Sequence, residues 1–158
     1  CSTNENAASI CAFSSESMAD LIDHVQQAKH NAACAAKLLG ERVYRDWAIT
    51  ATFYAAIHFA EAGFAATDIG HSENKGSHAE SPHDVREALI RDKFGSDCWR
   101  SYRKLREASR NVRYLPKWET KTGTALDYYP HAEAERFLNT ELARIKEEIQ
   151  RTTRVDLT

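Results

Sequence analysis

Residues 46–66 read DWAITATFYAAIHFAEAGFAA, and apolar or small side chains fall on nearly every face of the helix this stretch predicts. A helix apolar all round must be covered on all sides. In a chain of 158 residues that means the centre of a bundle or a self-association surface, and the many Ala positions allow neighbouring helices to approach closely. Asp46 stands where a cap is wanted at the start. Thr50, His58 and Glu61 interrupt the apolar run, so nothing approaches the roughly 20 apolar residues that a membrane span needs.

Upstream, Leu21, Ile22, Val25, Ala28, Ala32, Ala35, Ala36 and Leu39 recur at steps of three and four, which predicts a helix over 18–39. Ser17 with Asp20 resembles a capping box at its start, and Gly40 ends it. Downstream, TDIGHSENKGSHAE (67–80) has no periodicity and reads as a loop. Ser81, Pro82 and Asp84 then open a short helix that Gly95 closes. A further helix runs from Ser96 or Asp97 to Tyr114 and is stopped by Pro116, with the loop continuing through 119–123. Pro130 opens the last helix, in which Ala134, Phe137, Leu138, Leu142, Ile145 and Ile149 form an apolar stripe that dissolves near Thr153.

These elements predict an all-α protein, an up-and-down four-helix bundle with a short accessory helix at 81–94. Residues 1–16 read as a flexible N-terminal segment, 17–153 as one helical domain and 154–158 as a C-terminal tail. The size is enough for a core without metal or disulfide support. Cys1, Cys11, Cys34 and Cys98 show no framework spacing, which points to a reducing, cytoplasmic setting. The first residues lack the basic start and apolar core of a signal peptide, and the missing initiator Met suggests processing or truncation.

The 21 basic and 23 acidic residues give a net charge of −2, which excludes a globally basic nucleic-acid coat. Charge is nevertheless concentrated. Between Asp97 and Lys117 seven basic residues face two acids, a local +5, and Arg100, Arg103, Arg106, Arg110 and Arg113 follow at steps of three or four along one helix face. Cys98, Tyr102, Leu105, Ser109 and Val112 fall on the opposite, core-facing side. An arginine row suits phosphate because each guanidinium presents a planar fork of donors. The bland alternative is a solvated face paired with acids on neighbouring helices, where exposed pairs contribute well under about 1 kcal/mol each. Like charges three and four residues apart repel, so some partner has to offset them.

His71, His78 and His83 lie close in sequence but match no zinc spacing, and no metal or cofactor is expected. His58, alone on the apolar helix, reads first as a core residue, with a general-base role beside Arg110 as the sharper alternative. Tyr54, Tyr102, Tyr114, Tyr128, Tyr129, Trp99 and Trp118 can stack on bases, although packing is their commoner use.

Two stretches together resemble the HEPN superfamily, the helical domains named for higher eukaryotes and prokaryotes nucleotide-binding. One is the early helix with Arg45, Ala48, Phe53, Tyr54, Ala55 and His58; the other is LREASRNVRY, with Arg110, Asn111 and Tyr114 in an Arg-Asn or Arg-x-x-x-Tyr signature. SHAESPHDVREALIRDKF between them is similar to the family's segment leading into a short helix. The resemblance implies a homodimeric bundle, often beside a nucleotidyltransferase partner or within toxin–antitoxin and defence systems. Many members are metal-independent ribonucleases with a His four to six residues beyond the late-helix Arg, but here Leu115 to Lys121 contain none. The expectation is therefore a non-catalytic module that binds RNA or a nucleotide through Arg100, Arg103, Arg106, Arg110, Asn111, Arg113 and Tyr114. Its alternatives are a ribonuclease using Arg110 with His58, and a structural protein-interaction bundle.

Overall fold

The computed structural model describes residues 15–67, 69, 81–114 and 123–158. Among them there are helices and turns and no strand, so the protein is all-α and forms a small helical bundle. The expected N-terminal segment through residue 14, and most of the loops over 67–80 and 115–123, lie outside the described residues, His71, His78, Pro116 and Trp118 among them.

Helix α1 spans Ser15–Gly40 and α2 spans Arg45–Ala65. The turn between them is only four residues, which makes the two antiparallel neighbours, and α1 packs more extensively on α2 than on anything else. Both starts differ from the sequence reading. Helix α1 already runs from Ser15, so Ser17 sits inside the first turn rather than at the cap. Tyr44 occupies the N-cap of α2 without a side-chain capping bond, and Asp46 lies in the first turn, where its charge complements the helix dipole.

The apolar character of α2 is explained by its place at the centre: it contacts α1, the helical stretch 82–114 and the C-terminal helical stretch 131–153, and Ile49, Phe53, Phe59 and Phe64 are buried. Burial is not complete. Tyr44, Trp47 and Tyr54 are exposed, so a stripe of aromatic side chains faces outward. Gly63 marks the tightest crossing, since an added Cβ there would come within 2.7 Å of Ile149 Cγ2 and of Phe94 Cζ.

Helix α3, Pro82–Tyr114, is two helices joined at Gly95, whose φ of 87° and ψ of 174° break the helical path. Ser81 Oγ accepts a bond from the His83 N–H at 3.2 Å, fixing the start as the sequence suggested. The two arms, 82–94 and 96–114, fold back on each other. Asp84 and Arg106, 2.9 Å apart, would be separated by roughly 33 Å in a straight helix at about 1.5 Å per residue. The Arg91 guanidinium lies over Trp99 at 5.2 Å to the ring centroid, four residues either side of the same glycine. Cys98, Tyr102, Leu105, Ser109 and Val112 all turn inward, as the wheel predicts.

A short α4, Ala125–Tyr128, precedes α5 (His131–Arg136), a π-helical segment (Phe137–Leu142) and α6 (Ala143–Thr153). The sequence pattern showed neither α4 nor the π segment. The wider turn lets Phe137 and Leu142, five residues apart, both reach the core, and it places Glu141 there too. Residues beyond Thr153 turn at Arg154 (φ 63°) so that Leu157 is fully buried. No helix among the described residues is long and apolar enough to cross a membrane.

Two buried charge clusters tie the helices together. Glu61 on α2 meets Arg86 on α3 at 2.6 Å, and Glu141 accepts hydrogen bonds from Ser101 (2.7 Å), Lys104 (3.0 Å) and Arg136 (3.2 Å). Burial opposes the Glu141 charge, but those donors and the nearby cations outweigh it and hold its carboxyl below the ordinary range.

Candidate phosphate and base interface at the end of helix three

The arginine row is on one helix face, but it is not a row of equivalent cations. Arg100 pairs with Asp97 and Arg103 with Glu107 at 2.9 Å, both on the exposed surface of the same helix. Arg103 also lies over Trp99 at 5.6 Å. Arg106 is held between Asp84 at 2.9 Å and Glu87 at 2.6 Å, acids that reach it only because the chain reverses at Gly95. These three arginines are thus neutralised internally, which supplies the offset that the like-charge row demands.

The last two differ. Arg110 is exposed and makes no hydrogen bond or ion pair among the described residues, and Arg113 donates from Nε to the Ser109 carbonyl at 3.1 Å and lies over the Tyr114 ring at 5.1 Å. With Arg106, Tyr114, Phe53 and His83 they line a cavity of about 240 Å³. One wall comes from α2, one from the first arm of α3 and one from the second. The site therefore depends on the reversal at Gly95 as much as on the arginine spacing.

His83, which the sequence places only among three histidines without zinc spacing, is a wall of this cavity. Its ring sits 6.1 Å from the Phe53 centroid, and its Nδ1 is buried with no hydrogen-bond partner among the described residues. Burial, followed by the charges of Arg86, Arg106 and Arg113, holds it below the ordinary histidine value, so the ring favours its neutral form. The only local hint was its position two residues after a helix-capping Ser.

His58 is placed elsewhere. Its Nδ1 is 3.0 Å from that of His24 on α1, and it does not line the arginine cavity. Burial lowers its pKa, with a further contribution from His24. Asn111 is not among the residues lining the cavity: Nδ2 donates to the Tyr129 hydroxyl at 3.1 Å, bracing α3 against the chain beyond α4. Arg45 is similarly structural, donating to the Leu126 carbonyl at 3.1 Å. Of the aromatic residues, Tyr102 is in the core, Trp99 is covered by two arginines and Tyr129 is part-buried and accepts from Asn111, while Tyr44, Trp47, Tyr54 and Tyr114 are exposed.

A second cavity of about 380 Å³ adjoins the first and shares Arg113 and Tyr114 as a wall. Asp46, Trp47, Thr50 and Val112 complete it. Trp47 is 59% and Tyr114 69% exposed, which leaves much of both aromatic side chains open to solvent. Thr50 Oγ1 donates to the Asp46 carbonyl at 3.0 Å, while the Asp46 carboxylate has no partner among the described residues.

No family model, no curated protein and no solved structure matches this chain.

Proposed function

We propose that this protein is a HEPN-like helical module that binds RNA or a nucleotide through the Arg110–Arg113 end of α3, without catalysis, as a homodimer within a toxin–antitoxin or defence system that pairs it with a partner such as a nucleotidyltransferase. The observation that carries the binding reading is the cavity in which Arg110, Arg113 and His83 converge while the other row arginines are satisfied by acids. A cation without an internal partner, beside exposed aromatic rings, suits a single-stranded nucleic acid whose phosphate and base are held by different groups. The test is salt-dependent binding of a short single-stranded RNA by the wild type and by Arg110→Ala/Arg113→Ala; equal affinity for both would remove this site. The mass in solution reads the homodimer directly.

A second reading is favoured by one observation, the His83 ring lining the cavity beside the arginines with its Nδ1 buried and unpartnered among the described residues. A base and cations at one phosphate are the elements of metal-independent phosphodiester cleavage. In that reading His83 takes the place expected of His58. Ribonuclease activity abolished by His83→Gln and retained by His58→Gln would support it, and no cleavage by the wild type would end it.

A further inference from the structure

We infer that the two adjoining cavities form one nucleotide site, in which the larger takes a guanine base and the smaller takes its phosphate. The inference rests on the phosphate reading above and adds to it the identity of the base.

Three features of the larger cavity select the ligand. Trp47 and Tyr114 both line it and are largely exposed, and exposed aromatic side chains of this kind stack on flat heteroaromatic rings. Its polar lining is Arg113, Thr50, whose hydroxyl already donates to the Asp46 carbonyl, and the Asp46 carboxylate, an acceptor-only group with no partner among the described residues. Guanine is the base whose pairing edge offers two adjacent N–H donors, which a carboxylate accepts side by side; adenine, cytosine and uracil each present an acceptor there and leave at least one carboxylate oxygen facing it. Asp46 is free for this because Tyr44, not Asp46, occupies the helix cap. The shared wall links base to phosphate. Arg113 is anchored through Nε to the Ser109 carbonyl and lines both cavities, and Arg110 lines the smaller one.

The experiment is titration calorimetry of the full chain at low salt with GMP, AMP and guanosine, repeated for Asp46→Asn and for Arg110→Ala/Arg113→Ala, with circular dichroism confirming that each variant is folded. The wild type is expected to bind GMP at least about tenfold more tightly than AMP. Asp46→Asn should bring GMP to the AMP level, because Asn replaces one acceptor with a donor. The double arginine variant should weaken GMP and AMP alike and leave the base preference intact. Equal binding of GMP and AMP by the wild type, with both weakened by the arginine substitutions, overturns the guanine pocket and leaves the phosphate site standing. Guanosine binding that needs Asp46, with no gain from the phosphate, keeps the pocket and overturns the phosphate site. Binding of none of the three overturns both.

Discussion

The Glu61 carboxylate and the Arg86 guanidinium meet at 2.6 Å with only 5% of each side chain exposed, and the pair joins α2 to the first arm of α3, where the Arg86 charge also acts on His83. Two charges so far from water are tolerated only as a pair. Glu61→Ala or Arg86→Ala should each cost about 3–5 kcal/mol, because the survivor is left uncompensated. Replacing both together, with Glu61→Leu and Arg86→Met, should recover much of that stability. Urea denaturation of the three variants checks the order, and a double variant less stable than either single would contradict it.

The arginine row should divide functionally between its two ends. Arg100→Ala and Arg103→Ala remove exposed, self-paired residues and should change RNA affinity little, whereas Arg110→Ala and Arg113→Ala should lower it. Removing one arginine–phosphate interaction should make the slope of log affinity against log salt shallower by about 0.7. Filter binding across a salt series measures this, and an even effect along all five positions would count against the division.

Stability and ligand binding should respond to acid in opposite directions. His58 and His83 are both held below the ordinary histidine value of 6.5, chiefly by burial. Their contribution is therefore full above that value, where both states are neutral, and declines as pH falls from it towards the lower folded values, since the unfolded chain takes up protons first. Protonating His83 adds a cation to the arginine cavity, so phosphate affinity should rise over the same interval. Melting temperature and RNA affinity followed from about pH 8 to about pH 5 test both signs, and His83→Gln should flatten the affinity change.

Two glycines should fail for different reasons. Gly95 has φ 87° and ψ 174°, an essentially glycine-only conformation, and a Cβ there would meet nothing within 4 Å, so Gly95→Ala encounters conformational strain alone, about 1–3 kcal/mol. Gly63→Ala instead forces a methyl group against Ile149 and Phe94 at 2.7 Å, an overpacking cost of about 1–3 kcal/mol. Because the Gly95 reversal builds the arginine cavity, that variant should also weaken RNA binding, while Gly63→Ala should act on stability alone; combined melting and binding measurements separate them.

Much of the architecture follows from local pattern. The largely apolar run of α2 required cover on all sides, at the bundle centre or a self-association surface, the stripe from Cys98 to Val112 turned inward, and Gly95 interrupted the helix where the sequence said it should. Each of these depends on the roughly 100° step between successive residues of one helix, which the order of residues alone determines. The same step placed five arginines on one face.

Which of those arginines is available was decided by tertiary structure. The reversal at Gly95 carries Asp84 and Glu87 onto Arg106 and brings His83 to Arg110 and Arg113 across more than two helical turns of intervening chain on either arm. Packing against the chain beyond α4 turns Asn111 to Tyr129, and the early start of α2 leaves the Asp46 carboxylate free beside Trp47. A helical period states which side of its own helix a residue occupies; the neighbour it meets there is set by how separate helices pack, and that is a relation between distant segments which no local pattern contains.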